Sequence, residues 1–110
     1  MEDIESVSDW KKIFKDSFKK TKVIYKHSNG CHICFESESE IKRGIENGKI
    51  KDKVYRIIVP QKREIADLVS KELAIAHESP QLILIKEGQV LYFANHLDIN
   101  SDDIALYMNE

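Results

Sequence analysis

Two cysteines, Cys31 and Cys34, are the whole thiol inventory of this chain, and two residues separate them. That spacing suits redox chemistry. If the pair opens a helix, peptide N–H groups aimed at the first sulfur favour its thiolate over its thiol. The second sulfur, one turn further in, can then attack a mixed disulfide formed at the first. The flanks fit: the apolar run Val23-Ile24-Tyr25 ends just upstream, Asn29-Gly30 marks an exposed turn, and a charge-rich segment follows Cys34. Cys31 is therefore the candidate nucleophile, with protonated His32 or Lys26 expected to add to the depression of its pKa. Cys34 either resolves the mixed disulfide or packs beneath Cys31.

The same residues could serve zinc. A C-x-x-C is half of a tetrahedral site, and His27, His32, His77 or His96 would have to complete it. No second C-x-x-C or H-x-x-x-H follows, and His32 lies inside the pair, where the geometry is poor. The expectation is that no metal is bound.

The bulk properties narrow the class. A chain of 110 residues makes one domain, 1–110, large enough for a core without disulfide staples. With 17 basic and 19 acidic residues, no strong field argues for nucleic acid or for a membrane surface. The N-terminal MEDIESVSDWKK carries acids where a signal peptide wants positive charge, and no run approaches the ~18 apolar residues of a membrane span. A soluble cytoplasmic protein is expected, and in that reducing setting a C-x-x-C is catalytic more often than structural.

The elements that must position the thiols read as follows. Trp10, Ile13, Phe14 and Phe18 fall on one face of a helix across residues 6–20, capped by Ser6 or Ser8, with lysines on the outer face. Lys22–His27 is the first core strand. Cys34–Glu46 is a helix, with Ile33, Ser37, Ile41 and Ile45 as a weak apolar periodicity and Asn47-Gly48 as its stop. Val54–Val59 is a strand closed by Pro60, and Arg63–Leu73 a helix with Ile65, Leu68, Val69 and Leu73 on one stripe. Gln81–Ile85 and Gln89–Phe93 form a hairpin, and Asn100 or Ser101 caps a short last helix with Ile104, Ala105 and Met108 on one face.

An N-terminal helix followed by β-α-β-α-β-β-α, with C-x-x-C after the first of these strands, is the thioredoxin-like α/β arrangement. In such folds the proline that starts the third strand, here Pro80, is cis and lies beside the active cysteine. Ser79 before it then offers its backbone to an extended substrate. His77 and Glu78 are placed to tune the thiol or to bind a polar ligand, with His32 a further contact.

Lys26-His27-Ser28, Cys31 and Ile33, His77-Glu78-Ser79-Pro80-Gln81 and His96-Leu97-Asp98-Ile99-Asn100 together resemble the monothiol bacilliredoxin (YtxJ-like) family, over nearly the whole chain. The resemblance implies removal of bacillithiol from protein mixed disulfides, with the first cysteine of a C-P-I-S motif attacking. Cys31 matches that cysteine and Pro80 the cis-proline. Two positions depart: His32 stands where the family has proline, and Cys34 where it has serine. The first removes a rigid helix-start residue, and the second turns a monothiol site into a dithiol one.

The expected activity is thus a thiol–disulfide oxidoreductase reducing bacillithiol mixed disulfides through Cys31 and Cys34. Its expected partners are bacillithiolated or disulfide-containing proteins and a low-molecular-weight thiol. Bacillithiol is the co-substrate, no cofactor is tightly bound, and the working state is a monomer. A general protein-disulfide reductase is the nearest alternative. Ordinary thioredoxins carry W-C-G-P-C and a buried acid six residues before the first cysteine, where this chain has Tyr25. A non-catalytic binding domain is the alternative from another class, distinguished by a Cys31 pKa near the free-thiol ~8.5.

Overall fold

In the computed structural model, which describes residues 1–109, one mixed five-stranded sheet separates two layers of helix. In chain order the elements are β1 (Glu2–Asp3), α1 (Val7–Asp16), β2 (Lys22–His27), α2 (His32–Glu46), β3 (Val54–Ile58), α3 (Arg63–Leu73), β4 (Gln81–Lys86), β5 (Gln89–Asn95), a 3₁₀ turn (His96–Asp98) and α4 (Ser101–Met108). The sheet order is β1-β3-β2-β4-β5, with β1, β3 and β2 mutually parallel and β4 antiparallel to both of its neighbours, β2 and β5. The expected element order is present, with the two-residue β1 added ahead of α1.

Strand alternation splits the core. Ile24, Ile57, Ile83 and Ile85 face Trp10 and Ile13 of α1 and Ile65, Ala66 and Val69 of α3. Val23, Tyr25, Leu82 and Leu84 face Ile41 of α2 and Ile104 of α4. The central strands β2 and β4 are therefore covered on both faces, which is why Leu82-Ile83-Leu84-Ile85 is apolar without alternation.

Two helix boundaries differ from expectation. The first helix ends at Asp16, and Phe18 is 58% exposed rather than buried with Trp10 and Ile13. The cause is Ser17, whose hydroxyl donates to the Phe14 carbonyl while Ser17 itself receives the hairpin tip. Glu87 N–H donates to the Ser17 carbonyl (2.8 Å), and Gly88 N–H to its hydroxyl (3.0 Å). Glu87 and Gly88 both have positive φ, as a two-residue twisted hairpin turn requires, and the Phe14 and Phe18 rings lie against Gly88 so closely that a Cβ there would meet them at 2.9–3.2 Å.

The active-site helix begins at His32, earlier than the expected Cys34, because Cys31 is its N-cap. Its buried face is Cys34, Ser37, Ile41 and Gly44, whereas Ile33 points outward. Gly44 is a packing requirement: a Cβ would lie 2.6 Å from the Ser101 hydroxyl and 2.8 Å from Ile50.

Candidate active site

The end of β2 carries the chain into the turn Ser28-Asn29-Gly30, where Gly30 takes φ +79, and delivers Cys31 to the start of α2. Cys31 has extended backbone geometry and its Sγ accepts the Cys34 N–H at 3.4 Å. Its thiol pKa is lowered, first by that N–H, then by the Cys34 thiol and by the Ile33 N–H. Cys31 is partly exposed and Cys34 fully buried, and both are free thiols. Burial pushes the Cys34 thiol up, so the pair is split into an accessible thiol of lowered pKa and a buried thiol of raised pKa.

The two cations expected to help Cys31 do not reach it. The His32 ring is 84% exposed and turns along the helix to Glu36, 3.1 Å away. Lys26 follows the strand parity to the other face of the sheet, where its ammonium contacts the Ser70 hydroxyl of α3 and lies 3.1 Å from His77 Nδ1. Burial lowers the Lys26 pKa to about 8. His77 is thus engaged by Lys26 rather than by a thiol, and burial followed by the Lys26 charge lowers its pKa.

The segment before β4 supplies the opposite wall. The Ser79–Pro80 peptide bond is cis. Ser79 Oγ lies 2.6 Å from Ser28 Oγ and 3.9 Å from Cys34 Sγ. Glu78 pairs with His96 Nε2 at 3.0 Å, and the His96 N–H donates to the Pro80 carbonyl at 2.9 Å. His96 holds φ +53, an uncommon backbone for a residue with a side chain, directly against the cis-proline loop. Beside it, Phe35, Ser37, Arg43 and Leu97 line an open groove of about 470 Å³, with Phe35 and Leu97 exposed.

Beneath the helix, the Tyr25 hydroxyl donates to the Cys34 carbonyl (3.1 Å) and lies 3.0 Å from His27 Nδ1. His27 faces Glu38 at 3.7 Å, and Glu38 receives Arg56 (2.8 Å), which also forks onto Asp3. Burial holds the Tyr25 phenol far above its ordinary range, so it is a fixed hydrogen-bond donor and no proton carrier at neutral pH. Glu38 and Arg56 carry no local signal of a place near the thiols, and His27 and Ser28, visible in the sequence only as a zinc candidate and as part of a family motif, join Cys34 through Tyr25 and Ser79. The Ser28–Ser79 contact follows from register: β2 and β4 run antiparallel with Lys26 opposite Gln81, so residues two positions beyond this pair face each other.

Among the described residues, no group of three or more His, Cys, Asp or Glu side chains is placed to hold a metal ion. No helix among them is long and apolar enough to cross a membrane.

The comparisons with known proteins agree with this geometry. A thioredoxin-fold protein proposed to be an oxidoreductase is 24% identical, with TM-score 0.85 over 96% of this chain and 91% of that one. Thioredoxin from Fasciola hepatica is 13% identical (TM-score 0.72; 99% and 97% covered). Thioredoxin from Trypanosoma brucei brucei is 17% identical (0.73; 97% and 86%). These likenesses show a thioredoxin-like fold. No curated protein sequence matches the chain. A family model described as monothiol bacilliredoxin BrxC matches residues 2–104.

Proposed function

Because the chain belongs to the monothiol bacilliredoxin family, and is accordingly a thiol–disulfide oxidoreductase, we propose that it removes bacillithiol from protein mixed disulfides by a dithiol route. Cys31 thiolate attacks the bacillithiol sulfur of the mixed disulfide, and the protein client leaves as its thiolate. Bacillithiol is then disulfide-bonded to Cys31. Cys34, as thiolate, attacks the Cys31 sulfur and releases bacillithiol; the two protons lost by the cysteines return to the two leaving thiolates through solvent. The enzyme ends with a Cys31–Cys34 disulfide and needs a separate thiol reductant to reset it. No resident cofactor takes part, and the setting is a reducing cytoplasm.

The observation that carries this reading is the split pair itself. Cys31 is accessible and its thiolate is stabilised by the start of α2, while Cys34 is buried within hydrogen-bonding contact of it. On this reading an extended client segment pairs along the backbone of Ser79, whose hydroxyl lies 3.9 Å from Cys34 Sγ, beside the groove rimmed by Phe35 and Leu97. The Glu78–His96 pair ties the two loops that frame this position.

The test is intact-mass analysis after mixing reduced protein with a bacillithiolated model protein. Cys34→Ser should accumulate one bacillithiol adduct on Cys31, and the parent should instead show the internal disulfide. Adducts persisting in both proteins would leave a monothiol mechanism, and no adduct in either would remove bacillithiol as the substrate.

A further inference from the structure

The buried sulfur of Cys34 has better polar company than an inert core thiol requires. Ser79 Oγ lies 3.9 Å from it, Ser28 Oγ sits 2.6 Å behind Ser79, and the Ser28 peptide N–H also points at the sulfur. An apolar pocket would be the cheapest home for a neutral thiol, which is a weak donor and a weak acceptor. Two donors directed at one buried sulfur, the Ser79 hydroxyl and the Ser28 N–H, with a second hydroxyl behind the first, suit an anion. Resting on the dithiol reading above, we propose that Ser79 and Ser28 form a thiolate-binding pocket for Cys34, with the Ser79 hydroxyl donating to the sulfur during the resolving step and Ser28 positioning that hydroxyl.

Each hydroxyl has one proton and rotates to suit its partner. With Cys34 a thiol, its S–H can donate to Ser79, and Ser79 to Ser28. When Cys34 ionises, both hydroxyls turn: Ser28 donates to Ser79 and Ser79 to the sulfur. The 3.9 Å contact is long in the resting dithiol and tightens onto the anion. Cys34 Sγ then forms a bond to Cys31 Sγ as the Cys31–bacillithiol S–S bond breaks; the electron pair leaves with bacillithiol, and the proton shed by Cys34 goes to solvent.

Timing follows from the neighbours. In the resting enzyme burial raises the Cys34 pKa most, and Cys31 raises it further through its hydrogen bond and its negative charge. Once Cys31 is in a mixed disulfide that charge is gone, whereas the Ser28 N–H and Ser79 hydroxyl remain. The other titratable groups around Cys34 are Tyr25 on β2, kept neutral by burial, with His27 and the α2 residue Glu38 behind it. None of these changes between the two steps.

A chromogenic nitrobenzoate disulfide tests this without bacillithiol. Reduced protein should release one equivalent of aromatic thiol as Cys31 is modified and a second as Cys34 resolves, with the pH profile of the second phase reporting Cys34. Losing one charge-assisted hydrogen bond should raise that inflection by about one pH unit in Ser79→Ala. Because thiolate nucleophilicity rises with pKa (Brønsted slope ~0.5), the second phase should slow about threefold at neutral pH and reach an alkaline plateau about threefold higher. Ser79→Thr should restore the parent profile, and Ser28→Ala should shift it in the direction of Ser79→Ala. A merely structural role for Ser79 would slow both limbs together. Parent protein releasing a single equivalent would overturn the resolving role of Cys34 and this inference with it. Two equivalents from the parent, with a second phase that neither Ser79→Ala nor Ser28→Ala moves, would overturn this inference alone.

Discussion

Lys26 offers a sharp test of the electrostatics on the far side of the sheet. Its side chain has no exposed surface, and its ammonium meets the Ser70 hydroxyl and His77 Nδ1. Among the described residues no carboxylate is paired with it; Asp67 acts only through space. Burial lowers its pKa from 10.5 to about 8, and at about 1.4 kcal/mol per pH unit that gap is about 3 kcal/mol against the charged form in the fold. Between these two values the unfolded chain binds the proton that the folded chain has lost. Stability therefore rises with pH: the contribution is complete above 10.5 and is lost as pH falls through 8. From pH ~6.5 to ~9.5 the linkage amounts to about 2 kcal/mol.

In Lys26→Met this linkage is absent. At pH ~6.5 the variant gains about 3 kcal/mol from not burying a cation and loses two hydrogen bonds at about 1 kcal/mol each, so it should be about 1 kcal/mol more stable than the parent. At pH ~9.5 the order should reverse, with the parent ahead by about 1 kcal/mol. Burial and the Lys26 charge both lower the His77 pKa, so removing Lys26 lifts one of these causes; that adds to the variant's stability at the acid end and leaves the sign of the crossing unchanged. Urea unfolding of both proteins at the two pH values, read as free energies with equal slopes, measures the crossing. Parallel curves, with the difference unchanged from pH ~6.5 to ~9.5, would refute the claim that Lys26 loses its proton in the fold.

Two further expectations are simpler. Gly44→Ala should destabilise the protein by about 1–3 kcal/mol in the same unfolding assay, because the new Cβ meets Ser101 and Ile50 at 2.6–2.8 Å, although helix propensity alone favours alanine by ~1 kcal/mol. The pH profile of Cys31 alkylation should inflect below the free-thiol ~8.5 in the parent, move up in Cys34→Ala yet stay below ~8.5, and stay put in His32→Ala; a full return to ~8.5 in Cys34→Ala would remove the Cys34 N–H as the leading cause.

The elements were legible where one face of each is apolar and the period is sustained, as in α3 and the strands. Where that signal failed, a contact between distant residues decides the structure. Nothing local marks Glu2–Asp3 as a strand: it pairs with Tyr55 and Arg56, and Arg56 clasps Asp3 at 2.6 Å. Phe18 continues the apolar spacing of α1 by count alone, but the hairpin tip, some 70 residues away in sequence, ends the helix at Ser17. Gly44 reads as a flaw in a helix until α4 is placed against it.

For the site, the backbone was more legible than the side chains. A thiol opening a helix follows from a turn signal, a C-x-x-C and an amphipathic segment, and the N–H groups that tune Cys31 come with the helix rather than with any particular neighbour. His32 and Lys26 lie near Cys31 in sequence, but their side chains turn to other partners in space. Strand parity, already visible in Ile24 against Tyr25, sends Lys26 to α3 and His27 to α2. The same logic bears on the departure at position 34. A buried pocket with two hydroxyls and a peptide N–H would satisfy the serine of the C-P-I-S pattern as a neutral hydrogen-bonding partner. It accepts cysteine with the same neighbours, and only the sulfur can ionise and attack. On the proposed dithiol route, cysteine at this position supplies the resolving thiol in the seat a serine would occupy, and the same hydroxyls are the donors that would hold its thiolate.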